Sequence, residues 1–176
     1  MSNLPSNFEE AIKNAKRLSN KILIDGKLIS PSTDNKIKVI NPSTGENIGE
    51  APQCDKNDVD HAVKSSLNAF KEWKKIPARE RGRLVELGAR NLEERKGEIE
   101  TLLSLDTGNA LRTQAKPETA ASIELTRMFA GLSGEIKGEN YPPNIANTLH
   151  FTTRDPIGVV CACLLYTSDA ADEGWC

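Results

Sequence analysis

Long apolar runs are missing from this 176-residue chain. The longest, Ile157 to Tyr166, is interrupted by Gly158 and reaches about half the roughly 20 residues that a bilayer span needs. The first sixteen residues hold Glu9, Glu10 and Lys13 and no apolar h-region, so they do not read as a secretory signal. Excess charge is missing too. Lys plus Arg is 23 against 25 for Asp plus Glu, a net of −2. Phosphate contacts need a clustered basic excess, so a nucleic-acid binder is disfavoured. Internal repeats and low-complexity tracts are absent. The composition predicts a soluble, cytoplasmic, globular chain of about one domain; the apolar fraction of 38% rises to about 45% with the 12 glycines counted, the lower edge of the globular range.

Ligand-type residues are sparse. His61 and His150 stand alone, with no partner at metal or catalytic spacing, and read as a helix-surface and a strand residue. There are four cysteines, and Cys161, Cys163 and Cys176 fall in the last sixteen residues. A disulfide framework would be spread along a small secreted chain. The Cys161/Cys163 pair is a weak zinc signal without further ligands, and both suit a buried strand as small apolar residues. A metal-binding C-terminus built from Cys161, Cys163 and Cys176 stays open as an alternative. Cys54, in Pro52-Gln53-Cys54-Asp55, reads as loop or helix cap.

What is present is punctuation. Ser6-Asn7-Phe8-Glu9 has capping-box spacing and predicts a helix with Phe8, Ile12, Ala15 and Leu18 on one face. Ile22 to Ile29 predicts a hairpin, because Asp25-Gly26 suits a type I′ turn. Ile37 to Ile40 and Glu46 to Ala51 predict a second hairpin across Asn41-Pro42-Ser43-Thr44-Gly45. Asp55 and Asp58 predict a helix N-terminus, with Val59, Val63, Ser66, Phe70 and Trp73 on one face. Pro77 opens a helix with a Leu84/Leu87/Leu92 stripe. Ile99, Leu102, Leu103 and Leu105 mark another, closed by Gly108. Pro117 opens the last, carried by Ala120, Ile123, Leu125, Met128, Phe129 and Leu132 and ended by Gly134 and Gly138. The mixed charges of Lys71 to Glu100 read as a solvated face with i,i+4 pairs.

Asn140 to Asn144 reads as loop and Asn147 to Arg154 as a strand. The run from Ile157 to Leu165 predicts a strand buried on both faces, as in a parallel sheet. Parallel partners need crossovers of about a dozen residues or more. Only ten residues follow Tyr166, so the chain reads as an outer layer and one central strand of a larger sheet.

The ordered run of signals resembles the N-terminal part of the NAD(P)-dependent aldehyde dehydrogenase superfamily. Ile24-Asp25-Gly26-Lys27, Ile40-Asn41-Pro42-Ser43-Thr44-Gly45-Glu46 and Asp58-Val59-Asp60-His61-Ala62-Val63 carry it, followed by Ala69-Phe70, Trp73 and Pro77-Ala78-Arg79-Glu80-Arg81. Asp106-Thr107-Gly108-Asn109, Gly134 to Asn140 and Thr153-Arg154-Asp155-Pro156-Ile157-Gly158-Val159-Val160 complete it, over about residues 20–160. The resemblance implies an incomplete α/β fold: β-hairpins, a helical layer and the first strand of a Rossmann-like sheet. It implies a helical lead over 1–20, a partial nucleotide-binding domain over 21–160 with an oligomerisation strand near 147–154, and a non-native tail over 161–176. Family members oxidise aldehydes to acids, or sometimes to acyl-coenzyme A, with NAD or NADP. A Cys thiolate attacks the aldehyde, a Glu helps water hydrolyse the thioester, and an Asn steadies the oxyanion.

After Gly158-Val159-Val160 the family carries a Pro-Trp-Asn segment. Here the chain reads Cys161-Ala162-Cys163 instead, and Leu164 to Glu173 resembles a translated adaptor sequence. The sequence is therefore expected to hold no catalytic, cofactor-binding or metal-binding residue of its own, to bind no NAD by itself, and to be inactive alone. The resemblance matches Asp106 to a family carboxylate that often helps bind a monovalent cation, although a capping or surface role suits it as well. The aldehyde, the choice of NAD or NADP and a homo-oligomeric state belong to the complete protein. The rival reading is a non-enzymatic helical interaction module.

Overall fold

Turn and cap residues divide the chain into short elements, and a computed structural model describes residues 6–162. Helix α1 (Ser6–Leu18) leads into strands β1 (Ile22–Ile24) and β2 (Lys27–Ile29), then β3 (Lys36–Ile40) and β4 (Asn47–Pro52). Helices α2 (Lys56–Trp73), α3 (Ala78–Glu94), α4 (Lys96–Thr107) and α5 (Lys116–Leu132) follow, then β5 (Asn140–Tyr141) and β6 (His150–Phe151). Of the tail expected over 161–176, residues 163–176, with Cys163 and Cys176, lie outside the described residues.

Among the described residues the strands form three separate antiparallel ribbons. Ile22 faces Ile29 across the first, and Asp25 and Gly26 both take positive φ, 54° and 71°, as the type I′ turn demands. In the second, Lys36 faces Pro52 and Val39 faces Gly49, with an irregularity between Val39 and Ile40. Asp55 caps α2 as predicted: its carboxylate accepts from Asn57 N and Asp58 N, while Asp58 returns a bond to the Asp55 N–H.

Two small cores hold the layer together. Ala11 of α1, Ile48 of β4 and Leu105 of α4 are buried, with Phe8, Ile12, Val39 and Leu102 packed around them. The second lies between α3 and α5. There the predicted Leu84/Leu87/Leu92 stripe is not the buried face, and Leu87 is 54% exposed. Gly82 and Ala89, one heptad apart, are the buried residues of α3 instead, and Gly82 lies against Ala130 and Ser133 at the end of α5. A Cβ on Gly82 would stand 2.2 Å from Ser133 Oγ and 2.5 Å from the Ala130 carbonyl oxygen. The helices cross so closely that small residues win the interface and the leucines turn outward. On α5, Ile123 is 3% exposed, while Leu125, Met128, Phe129 and Leu132 are exposed. Burying Ile123 contributes about 1.5–3 kcal/mol.

Several expectations change. Leu111–Ala115, between the helix closed by Gly108 and the one opened at Pro117, forms a π-helical turn with Ala115 N bonded to the Ala110 carbonyl. It sits where Pro117 removes the N–H that an α-helix would aim four residues back. Pro77 is the cap residue just outside α3, not its first turn. Helix α5 ends at Leu132 with Ser133 as its cap and Gly134 directly after, as expected, while Gly138 lies well beyond the helix end. The strand expected over Asn147–Arg154 shrinks to His150–Phe151: Asn147 takes φ 59° at its start, and its partner strand is only two residues long. Its partner, Asn140–Tyr141, lies in the stretch read as loop. Over its described part the Ile157–Leu165 run makes no ladder, and Ile157 is 94% exposed. A strand needs a neighbour, and none lies beside this segment among the described residues.

Candidate functional site

Two turn motifs far apart in sequence meet beside the first core. Asn41 is buried. Its side-chain oxygen accepts from Ser43 N at 2.9 Å, and its carbonyl accepts from Gly45 N at 2.8 Å. At the end of α4, Gly108 takes φ 75°, and its N–H donates to the Ser104 carbonyl at 3.1 Å. Ser104 Oγ donates to the Asn109 carbonyl at 2.7 Å, and Asn109 N donates to Thr107 Oγ1 at 3.2 Å. A Cβ on Gly108 would stand 2.8 Å from Pro42 Cγ. The Asn41–Gly45 turn is thus seated on the Asp106–Asn109 turn, and glycine serves both the left-handed backbone and the close approach.

Asp106 lies at the edge of this contact. It is exposed and borders an open apolar cavity of about 530 Å³ shared with Leu18, Val39, Ile48, Leu102 and Leu103. Its carboxylate makes no hydrogen bond or ion pair among the described residues. No group of three or more His, Cys, Asp or Glu side chains is placed to hold a metal there. Cys54 and Cys161 are free and exposed, and His61 and His150 lie exposed on α2 and β6.

Two arrangements were not read from the sequence. Ser32 Oγ donates to Asp55 Oδ1 at 2.7 Å and Asp58 Oδ2 at 3.0 Å, and Ser32 N donates to Asp58 Oδ1 at 2.9 Å. This clasp fixes the loop after β2 to the start of α2. The Ser32 hydrogen bond, with those from the helix N–H groups, holds the Asp55 carboxyl below its ordinary value of 3.8. Between α3 and α5, Arg127 donates to Glu93 and, at 2.8 Å, to Glu124. The bond from Arg127 holds Glu93 below the usual carboxylate range and raises Arg127 in turn. Neither partner has a signal at local spacing, because Ser32 and Glu93 lie far from Asp58 and Arg127 in the chain.

The usual cradle of a dinucleotide is not formed among the described residues. The pyrophosphate needs a glycine-rich turn from a parallel strand into a helix, with free N–H groups aimed at the anion. All three ribbons are antiparallel. The helix that directly follows a strand, α2, has its first N–H groups taken by Asp55, whose negative charge repels phosphate.

An aldehyde dehydrogenase family model matches residues 29–165. The chain belongs to the aldehyde dehydrogenase family. An aldehyde dehydrogenase from Enchytraeus buchholzi is 33% identical over 156 residues, covering 87% of this chain and 31% of the relative. One from Talaromyces stipitatus is 35% identical over 151 residues, covering 85% of this chain and 29% of the relative. Among solved structures, betaine aldehyde dehydrogenase from Staphylococcus aureus in complex with NAD+ superposes with a TM-score of 0.76 at 26% identity, covering 82% of this chain and 29% of that one. An NAD-dependent benzaldehyde dehydrogenase from Corynebacterium glutamicum gives 0.68 at 29% identity, covering 74% and 28%. The chain spans about a third of the length of the aldehyde dehydrogenases it matches. Its helices and small antiparallel ribbons are accordingly part of the aldehyde dehydrogenase α/β fold.

Proposed function

We propose that the protein carrying this chain oxidises an aldehyde to a carboxylic acid, with NAD or NADP accepting the hydride. The observation that carries this is the family match over residues 29–165, supported by the superposition on dehydrogenase structures. Within that protein the contribution of residues 21–160 is structural: a partial nucleotide-binding domain whose helical layer and ribbons support the reacting groups. The strand expected near 147–154, with Leu149 and Phe151 exposed, supports a homo-oligomer contact. No helix among the described residues is long and apolar enough to cross a membrane. A cytoplasmic location is part of the proposal and is read by cell fractionation.

Residues 1–176 by themselves turn over no aldehyde in this reading, because no thiol among the described residues lies in the family's nucleophile context and no dinucleotide site is built. The test has two arms. The purified chain is mixed with a panel of aldehydes and NAD or NADP, and reduced nicotinamide is followed by absorbance; no formation is expected. The reading frame is then extended on the source transcript, and a frame continuing into a Pro-Trp-Asn segment is expressed and assayed alike. Turnover there supports the proposal. Turnover by the short chain, abolished by a thiol reagent, overturns its inactivity, and an inactive extended frame overturns the dehydrogenase reading.

A further inference from the structure

We draw no further inference here: the strongest candidate, the open apolar groove of about 580 Å³ between Phe70, Trp73 and Ile76 at the end of α2 and the extended residues Gly158–Val160, is an unpartnered apolar face, and nothing in the structure shows what covers it.

Discussion

Adding one methyl group at Gly82 should open the α3–α5 crossing. The new Cβ would meet Ser133 Oγ at 2.2 Å and the Ala130 carbonyl oxygen at 2.5 Å. A serine hydroxyl can rotate away, but a helix carbonyl cannot, so α3 must lift from α5. Lifting it loosens Ala89, which is fully buried one heptad on. Overpacking of this kind costs about 3 kcal/mol at the upper end of its usual range. Alanine returns about 1 kcal/mol through its better helix propensity. The expected net loss for Gly82→Ala is about 2 kcal/mol, which lowers a urea midpoint by about 1 M at a slope near 2 kcal/mol/M. Gly88 lies on the same helix, and its added Cβ meets nothing within 4 Å. Gly88→Ala should therefore stabilise by about 0.5–1 kcal/mol. Adding Ser133→Ala to Gly82→Ala removes the hydroxyl but leaves the carbonyl, so recovery should be partial. Urea melts followed by helical circular dichroism read all three variants against the unchanged chain. If Gly82→Ala raises the midpoint as Gly88→Ala does, the close crossing is wrong.

Ser32→Ala should bring the Asp55 carboxyl back up toward 3.8, since the Ser32 hydroxyl is the largest cause of its lowering. A depressed folded value means that Asp55 stabilises fully above its ordinary range and loses that contribution as pH falls through the folded value. A carboxyl titration by NMR that is unchanged in Ser32→Ala would remove the clasp from the account. Asp58→Ala leaves the Ser32 and Asp55 N–H groups without an acceptor and should cost about 1–3 kcal/mol in a thermal melt; an unaltered melting temperature contradicts this. Gly108→Ala forces a left-handed backbone costing about 1–2 kcal/mol and drives its Cβ into Pro42, so it should destabilise by about 2 kcal/mol or more. A neutral result in the same melt would mean that the two turns do not touch. Light scattering across a concentration series should show the isolated chain associating, because Val59, Val63, Leu67 and Phe129 are exposed and a net charge of −2 gives little repulsion. A monodisperse monomer at high concentration counts against that expectation.

Features decided within a few residues were legible in the sequence. Asp25-Gly26 announces its turn because few other pairs take positive φ twice. Asp55 and Asp58 announce a helix start because both reach its free N–H groups, and Gly108 announces a helix end for the same local reason. Features decided by a distant partner were not. The leucine stripe of α3 looked like a core face until the Gly82–Ala89 line proved narrow enough for a close crossing. Asn147 lies in a stretch of partly alternating pattern, but its own left-handed backbone and a partner strand of only two residues leave the strand short. In the candidate site, Asp106-Thr107-Gly108-Asn109 and Asn41-Pro42-Ser43-Thr44-Gly45 could each be recognised, while their contact required the fold.

The docking of α1 on α4 has a consequence for how the chain is made. Asn14 of α1 donates to Glu98 of α4, a bond closing 84 residues of chain, and Ala11 and Leu105 are buried in the same small core. A ribosome adding about 5–20 residues each second takes about 4–18 s to go from the end of α1 to the end of α4. During that interval α1, a 13-residue helix, has β4 to pack against but lacks α4, and helices of that length are marginal in water without full packing. Helix α1 is therefore fully secured only once α4 has followed it, and part of its apolar face is open to chaperones while the nascent chain lengthens.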